Sequence, residues 1–387
     1  LLLAVVALAA VAPPSPGCPF CNAQGKTLSG ELADASMVLC GTLSNPNEKA
    51  ETTDIAIDTV IKDNPGRGKR MNLTLNRVIE LGKGKGAANE RYIVFCDLFK
   101  GKIDPYRGIP IAAGNKLPEY LRGTLGLAGK TGVERLRFFF DYLDSGELEI
   151  SNDAYKEFGN ADYKDFTKLA KTLPAERVIK WLKDADTPSF RIGLYASMLG
   201  HAGKEKDAGV LKALLDDPER RAASGVDGLL AAYAMLKPKD GWAYLLGTLK
   251  NTKEEFMFRY AALRAVRFLH DYRTDVVSKK DLVAGVCVLL GQEDIADLAI
   301  EDLRKWGAWG QADKVLGVCK TPAYKLAIVK RAVLRYCLQC KGNAAADRYV
   351  AGLKKEDPDK VKEALELLQL EAETTPTTTA KADAKKK

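Results

Sequence analysis

The chain has 387 residues, 46% hydrophobic and 28% charged, an ordinary globular balance that excludes a disordered chain and leaves apolar material for two or three domains. Its 59 Lys and Arg against 51 Asp and Glu give +8, too mild an excess for a dedicated nucleic-acid binder. With only His201 and His270 present, His-rich zinc centres are excluded and Ser/His/Asp or Cys/His catalysis has few ways to be built.

The opening LLLAVVALAAVAPPSPG runs apolar to Ala12 and then reaches Pro13, Pro14 and Pro16, the pattern of the apolar core and exit of a secretory signal peptide over residues 1–17. A secreted or periplasmic location is expected, with a retained signal anchor or a lipid on Cys18 as alternatives. Later stretches fall short of the roughly 20 apolar residues a helix needs to span a bilayer, so no span is expected once the signal is removed.

Residues 18–128 read as a β-barrel domain, with strand character from Ser36 to about Ile111. MVLCGTL (37–43), TTDIAIDTVI (52–61), MNLTLNRVI (71–79) and RYIVFCDLF (91–99) are β-branched or aromatic runs separated by NPN, NPGRGK and GKGKG turns. Ile55, Ile57, Thr59 and Ile61 alternate with Ala56, Asp58, Val60 and Lys62, which suits a sheet with one buried face. Four or five such strands predict a small closed β-barrel ending in a short helix over 117–125, with 101–111, which holds Pro105 and Pro110, as loop or edge. Gly82-Lys83-Gly84-Lys85-Gly86 lacks a Walker pattern and reads as a hairpin loop.

Residues 129–173 form a helical junction rich in aromatic side chains. The plainer reading of Phe138, Phe139, Tyr142, Tyr155, Phe158 and Tyr163 is a hydrophobic plug that caps the first repeat and joins it to the barrel; the sharper reading is a recognition groove. Beyond, the period becomes helical. Val226, Leu229, Leu230 and Tyr233 sit at i, i+3, i+4 and i+7, as do Trp242, Leu245, Leu246 and Leu249, and Ala346, Tyr349, Val350 and Leu353. PSFRIGLYASMLGHAG (188–203) matches EFMFRYAALRAVRFLHD (255–271), with Phe190-Arg191 and Phe258-Arg259 spaced by 68 residues, two periods of 34. Polar turns such as KDADTP, LDDPE, KNTKE, GQED, CKTP and KEDP recur between these helices. Residues 371–387 have no large apolar side chain and are expected to be a disordered tail.

On that period, those turns and the Ala/Leu-rich first helices, residues 174–370 resemble the HEAT-like repeat proteins, which implies five to six helical hairpins stacked into an α-solenoid that works by binding. On Cys18 and Cys21, ADASMVLCGTL, TTDIAIDTVI and RYIVFCDL, the N-terminal region resembles the netrin and tissue-inhibitor (NTR-like) family, which implies a five-stranded OB barrel. The fold class is therefore multidomain α+β, a small OB/NTR-like barrel followed by a HEAT-like α-solenoid. The inhibitors of that family begin C-x-C; here the spacing is C-x-x-C, so inhibition is not carried over to Cys18.

Cysteines fall in two groups, Cys18, Cys21, Cys40 and Cys96, then Cys287, Cys319, Cys337 and Cys340. Even counts in an exported chain favour disulfides, with connectivity open among the first four. Cys18-Pro19-Phe20-Cys21 is also the candidate redox dithiol, although it lacks the preceding strand of a thioredoxin site; four-cysteine zinc is a further alternative. Neither CxxC precedes a His, since Asn22 and Lys341 follow, so haem attachment is not supported. Cys337 and Cys340 continue an apolar stripe and read as small core residues, and His201 and His270 close matching helices as packing residues. The expectation is an exported, non-catalytic scaffold that binds a protein partner through its solenoid surface and barrel, without cofactor, metal or nucleic acid. Its alternatives are a thiol-disulfide oxidoreductase using Cys18 and Cys21, and a protease-inhibitor-like module.

Overall fold

Strand β1 (Met37–Asn47) pairs antiparallel with β2 (Thr52–Lys62) on one side and β4 (Arg91–Phe99) on the other. The computed structural model to which these strands belong describes residues 19–21, 25–79 and 91–374. The signal reading, Cys18, the 82–86 loop and the tail beyond residue 374 lie outside the described residues. The chain divides into two compact units, Pro16–Leu169 and one that takes in Ala170–Lys387.

In the first unit, β3 (Asn72–Leu75) extends the sheet beyond β2 and β5 (Lys102–Ile111) extends it beyond β4, giving the order β3-β2-β1-β4-β5 with every pair antiparallel. The period of two sends Met37, Leu39, Leu43, Ile55, Ile57, Leu73, Leu75, Tyr92, Val94 and Cys96 into one core. The segment 101–111 is an edge strand. Lys100 and Gly101 turn the β4–β5 hairpin with φ of 50° and 75°, the left-handed pair that a two-residue turn needs.

The closed barrel expected from the sequence is corrected to an open sheet. The edges meet at Asn76, whose backbone N–H and side-chain amide both donate to the Ile103 carbonyl at 3.4 and 3.1 Å. No β3–β5 ladder continues from there among the described residues. A four-residue β3 offers few partners, and Pro105 and Pro110 supply no N–H to a further strand.

Helices α1 (Leu28–Asp34), α2 (Leu117–Leu125), α3 (Gly132–Phe140), α4 (Leu148–Asn160) and α5 (Tyr163–Ala170) accompany the sheet. Asp153 on α4 is 2% exposed and accepts from the backbone N–H of Leu28 and Ser29, the Ser29 hydroxyl at 2.8 Å and the Tyr120 hydroxyl at 2.7 Å. One carboxylate thus satisfies orphan donors at the start of α1 and ties α1, α2 and α4 together. Of the segment 129–173, expected as a helical junction between barrel and solenoid, the part up to Leu169 falls in the first compact unit.

The second unit alternates two sets of helices. The first set is α7 (Ser189–Ala202), α10 (Val226–Leu236), α12 (Phe256–Tyr272), α14 (Ala296–Lys305) and α16 (Ala327–Gln339). Around it lie α6 (Ala175–Lys183), α8 (Ala208–Asp216), α9 (Pro218–Ala222), α11 (Pro238–Lys250), α13 (Lys279–Cys287), α15 (Ala312–Gly317), α17 (Ala344–Glu356) and α18 (Pro358–Thr374). This long helical region is compatible with an α-solenoid, and no helix of the described residues is long and apolar enough to cross a membrane.

Within the first set, α7 packs on α10, α10 on α12 and α14 on α16, and every residue of α10 is buried. Guanidinium bridges join successive layers at the sequence period. Arg259 reaches Asp294, Arg267 reaches Asp302 at 2.8 Å and Arg304 reaches Gln339 at 2.7 Å, each 35 residues on. The tail boundary at residue 371 is corrected by the same chemistry: α18 runs on to Thr374, because Glu371 accepts from both Arg304 and Arg335.

Two predictions follow from this stack. A Cβ added at Gly228 would lie 2.6 Å from the Cα and carbonyl oxygen of Gly193, backbone that cannot step aside. Gly228→Ala should therefore destabilise the second unit by about 1–3 kcal/mol, as overpacking does, measured by guanidinium unfolding of the full chain. Burial also pushes the Asp302 carboxyl up to about 6 against the pull of Arg267. A carboxyl with a raised folded pKa contributes stability at low pH and loses it as pH rises through 6. Asp302→Asn lacks that loss, so its stability relative to wild type should increase between pH 4 and 7; a constant difference would contradict the assignment.

Candidate functional site

Two of the cysteines expected among the disulfides, Cys40 and Cys96, lie on neighbouring strands but do not face each other. Consecutive registers place Cys96 opposite Met37 on the core face and Cys40 opposite Ile93, three positions along and on the other face of the pleat. A Cys40–Cys96 bond does not fit this register, and both are free thiols in this structure. Burial, reinforced by Asp58, pushes Cys40 up to about 11 despite the Arg91 guanidinium at 3.3 Å; burial pushes Cys96 up to about 12. Such thiols hold little thiolate at neutral pH and are poor nucleophiles. Cys21 is buried, and its partner in the CxxC, Cys18, lies outside the described residues.

The aromatic segment is interior. Phe139, Tyr155, Phe158 and Tyr163 are buried, while Phe138 and Tyr142 are half-buried against the Tyr120 ring at 5.9 and 4.8 Å. Tyr120 is drawn in by its hydroxyl bond to Asp153, and Phe138, Phe139 and Tyr142 pack against its ring, while Phe158 and Tyr163 pack on Phe166. Within the first unit these rings are buried or half-buried. His201 is held well below its usual range, down to about 3, by burial and then by the charges of Arg273 and Lys171. His270 stacks on Trp306 with centroids 3.9 Å apart. Both histidines close their helices by packing. Among the described residues no group of three or more His, Cys, Asp or Glu is placed to hold a metal.

A cleft of about 590 Å³ opens instead among α16, α17 and α18, a size that suits a ligand or a few side chains. Each helix contributes one stripe. Ala327, Lys330, Arg331 and Leu334 come from α16, Tyr349, Leu353 and Glu356 from α17, and Lys360, Glu363, Ala364 and Leu367 from α18. Leu334 and Ala364 are buried at the floor, in a cluster with Val361, Tyr349 and Leu353. The Tyr324 and Tyr349 hydroxyls share a hydrogen bond of 2.8 Å, and Lys330 lies over the Tyr324 ring at 5.6 Å. Burial raises both phenols, so they stay neutral and act as hydrogen-bonding groups rather than bases.

The charges at the opening are segregated. Lys325, Lys330 and Arg331 lie on the α16 side, Glu356 and Glu363 on the side of α17 and α18. Lys360 is spent on Asp357, whereas those five make no ion pair among the described residues. The sequence pattern had marked the α17 stripe through Tyr349 and Leu353. It missed the cleft because half of the facing stripes on α16 and α18 are charged, so an apolar period does not register them. A signal was present in the same spacing: cations at Lys330 and Arg331 directly before Leu334, and Glu363 beside Ala364 and Leu367.

Compared with known proteins, the chain matches no family model, no curated protein and no solved structure. Function must therefore be argued from the sites themselves.

Thiol burial gives a direct check. Iodoacetamide without reductant should modify half-buried Cys287 and Cys319 first in the native chain, and Cys40, Cys96 and Cys337 only after unfolding, as read by peptide mass spectrometry. Cys40 or Cys96 left unmodified in the unfolded, unreduced protein would show that they are oxidised after all.

Proposed function

We propose that the chain is an exported, non-catalytic binding scaffold, an OB/NTR-like β-domain followed by a HEAT-like solenoid whose last three helices receive a segment of a protein partner. The observation that carries this reading is the cleft: an apolar floor, two neutral phenols and charged rims that stay unpaired. Such a surface offers apolar contact for affinity and charge for orientation, the division of labour of protein interfaces. Fold assignment draws on the order β3-β2-β1-β4-β5 with edges meeting at Asn76 and Ile103, as in a partly open OB sheet, and on the 35-residue interval between bridged layers. Export rests on the apolar opening of the sequence.

Catalysis is disfavoured by the chemistry at hand. Tyr324 and Tyr349 are held neutral, the buried sheet thiols are held protonated, and His201 is held neutral by burial. The oxidoreductase alternative at Cys18 and Cys21 is tested by insulin reduction. The scaffold account expects no turnover; robust turnover that disappears in Cys21→Ser would replace it with redox chemistry.

Binding itself is tested by peptide display on the full chain, with counter-selection against Leu367→Arg, an exposed cleft position whose exchange leaves the buried floor intact. Enriched peptides should share an apolar spacing flanked by charge and lose at least roughly tenfold in affinity on the variant, about 1.4 kcal/mol. No enrichment, or equal binding to both proteins, would remove the cleft as the recognition site.

A further inference from the structure

We infer that the partner segment received by the C-terminal cleft is the same end of a second copy of this chain, so that the protein pairs tail to tail about a two-fold axis. The inference rests on reading the cleft as a protein-docking site and adds the identity of the occupant.

In a stack of helical hairpins each layer covers the apolar face of the one before, and the last layer needs a polar outer face to stay soluble alone. Among the described residues the end of this stack lacks one. Leu326 and Ile328 at the start of α16 and Leu365, Leu367 and Leu370 on α18 are all exposed, Ile328 and Leu370 each at 56%. These side chains lie at the start of α16 and on α18, which also carry Lys330, Arg331 and Glu363 of the rims.

The charges select the occupant. The unpaired cations Lys325, Lys330 and Arg331 all lie on one rim, and the unpaired acids Glu356 and Glu363 on the other. Within one chain the rims do not neutralise each other. A two-fold interface brings a patch onto its own copy, residue i meeting j while j meets i. An axis that lies in the plane of the opening and runs along the cleft between its rims sets the cation rim of each copy on the acid rim of the other, twice over, and the apolar side chains of α16 on those of α18. All five unpaired charges then find opposite partners with no further molecule. The leucines supply the affinity; the exposed charges set register and orientation.

Sedimentation equilibrium on the full chain tests this with two exposed double variants, Lys330→Glu with Arg331→Glu and Glu356→Lys with Glu363→Lys. Wild type should dimerise. Each variant alone meets like charge on both sides of the axis and should sediment as a monomer, its dissociation constant raised by at least roughly tenfold. An equimolar mixture should recover a one-to-one heterodimer, because one copy now carries two acidic rims and the other two basic rims. A monomeric wild type, variants that dimerise like wild type, or a mixture that stays monomeric would each overturn the inference. A monomeric wild type that still binds displayed peptides through Leu367 would overturn the second copy and leave the scaffold standing. If the dimer fails and no peptide binds, the docking site itself is lost.

Discussion

Close approach of backbones at the α7–α10 crossing is the constraint on which the second unit depends. Gly225 turns into α10 with φ of 87°, and a Cβ there would lie 2.5 Å from the Gly193 backbone nitrogen; Gly228 meets Gly193 one turn later. Only glycine lets the helices come this near, and the contact in turn buries α10 completely. Once these layers are in place, the later ones are indexed by charge. Arg259, Arg267 and Arg304 are each fixed to a partner 35 residues ahead, so a repeat can neither slip nor rotate without stranding a buried guanidinium or carboxylate. Apolar packing thus supplies the stability and the bridges supply the register.

The first unit solves its own assembly differently. Its sheet is accompanied by helices whose relative placement converges on Asp153, a buried carboxylate on α4 with four donors from α1 and α2. Burial holds its carboxyl above the usual range while these donors pull the other way. The neighbouring Glu157 continues the network to Thr27, Ser29 and Arg135. A polar centre of this kind organises the aromatic side chains around Tyr120, which explains why a segment with so many rings offers so little of them to solvent. Exposed apolar and unpaired charged groups are found instead, among the described residues, on α16, α17 and α18.

Much of the architecture is legible in the residues, and the failures have physical causes. Alternation at Ile55 and Ile57 and the stripe at Val226, Leu229, Leu230 and Tyr233 report local periodicity, and those elements stand where the pattern puts them. Helix 117–125 ends as read, at Leu125. Sheet closure was not legible, since it depends on how far a four-residue β3 can reach. The reach of α18 to Thr374 depends on Glu371 meeting Arg304 and Arg335, residues 67 and 36 positions away. Counting cysteines in even groups could not show that Cys40 and Cys96 face opposite sides of the same pleat. The cleft was hidden for a related reason: its walls come from three helices, and its charged half looks like any solvated face until the helices are assembled.

Hydrogen exchange measured along the full chain tests most directly the claim that activity resides where the stack ends. At high dilution α10 should be among the slowest segments, and residues 324–331 and 356–367 among the fastest of the second unit's helical ends. When protein concentration is raised, or a selected peptide is added, the gain in protection should be confined to those two segments. Protection that appears on the sheet of the first unit, or that leaves both cleft segments unchanged while binding occurs, would contradict the account.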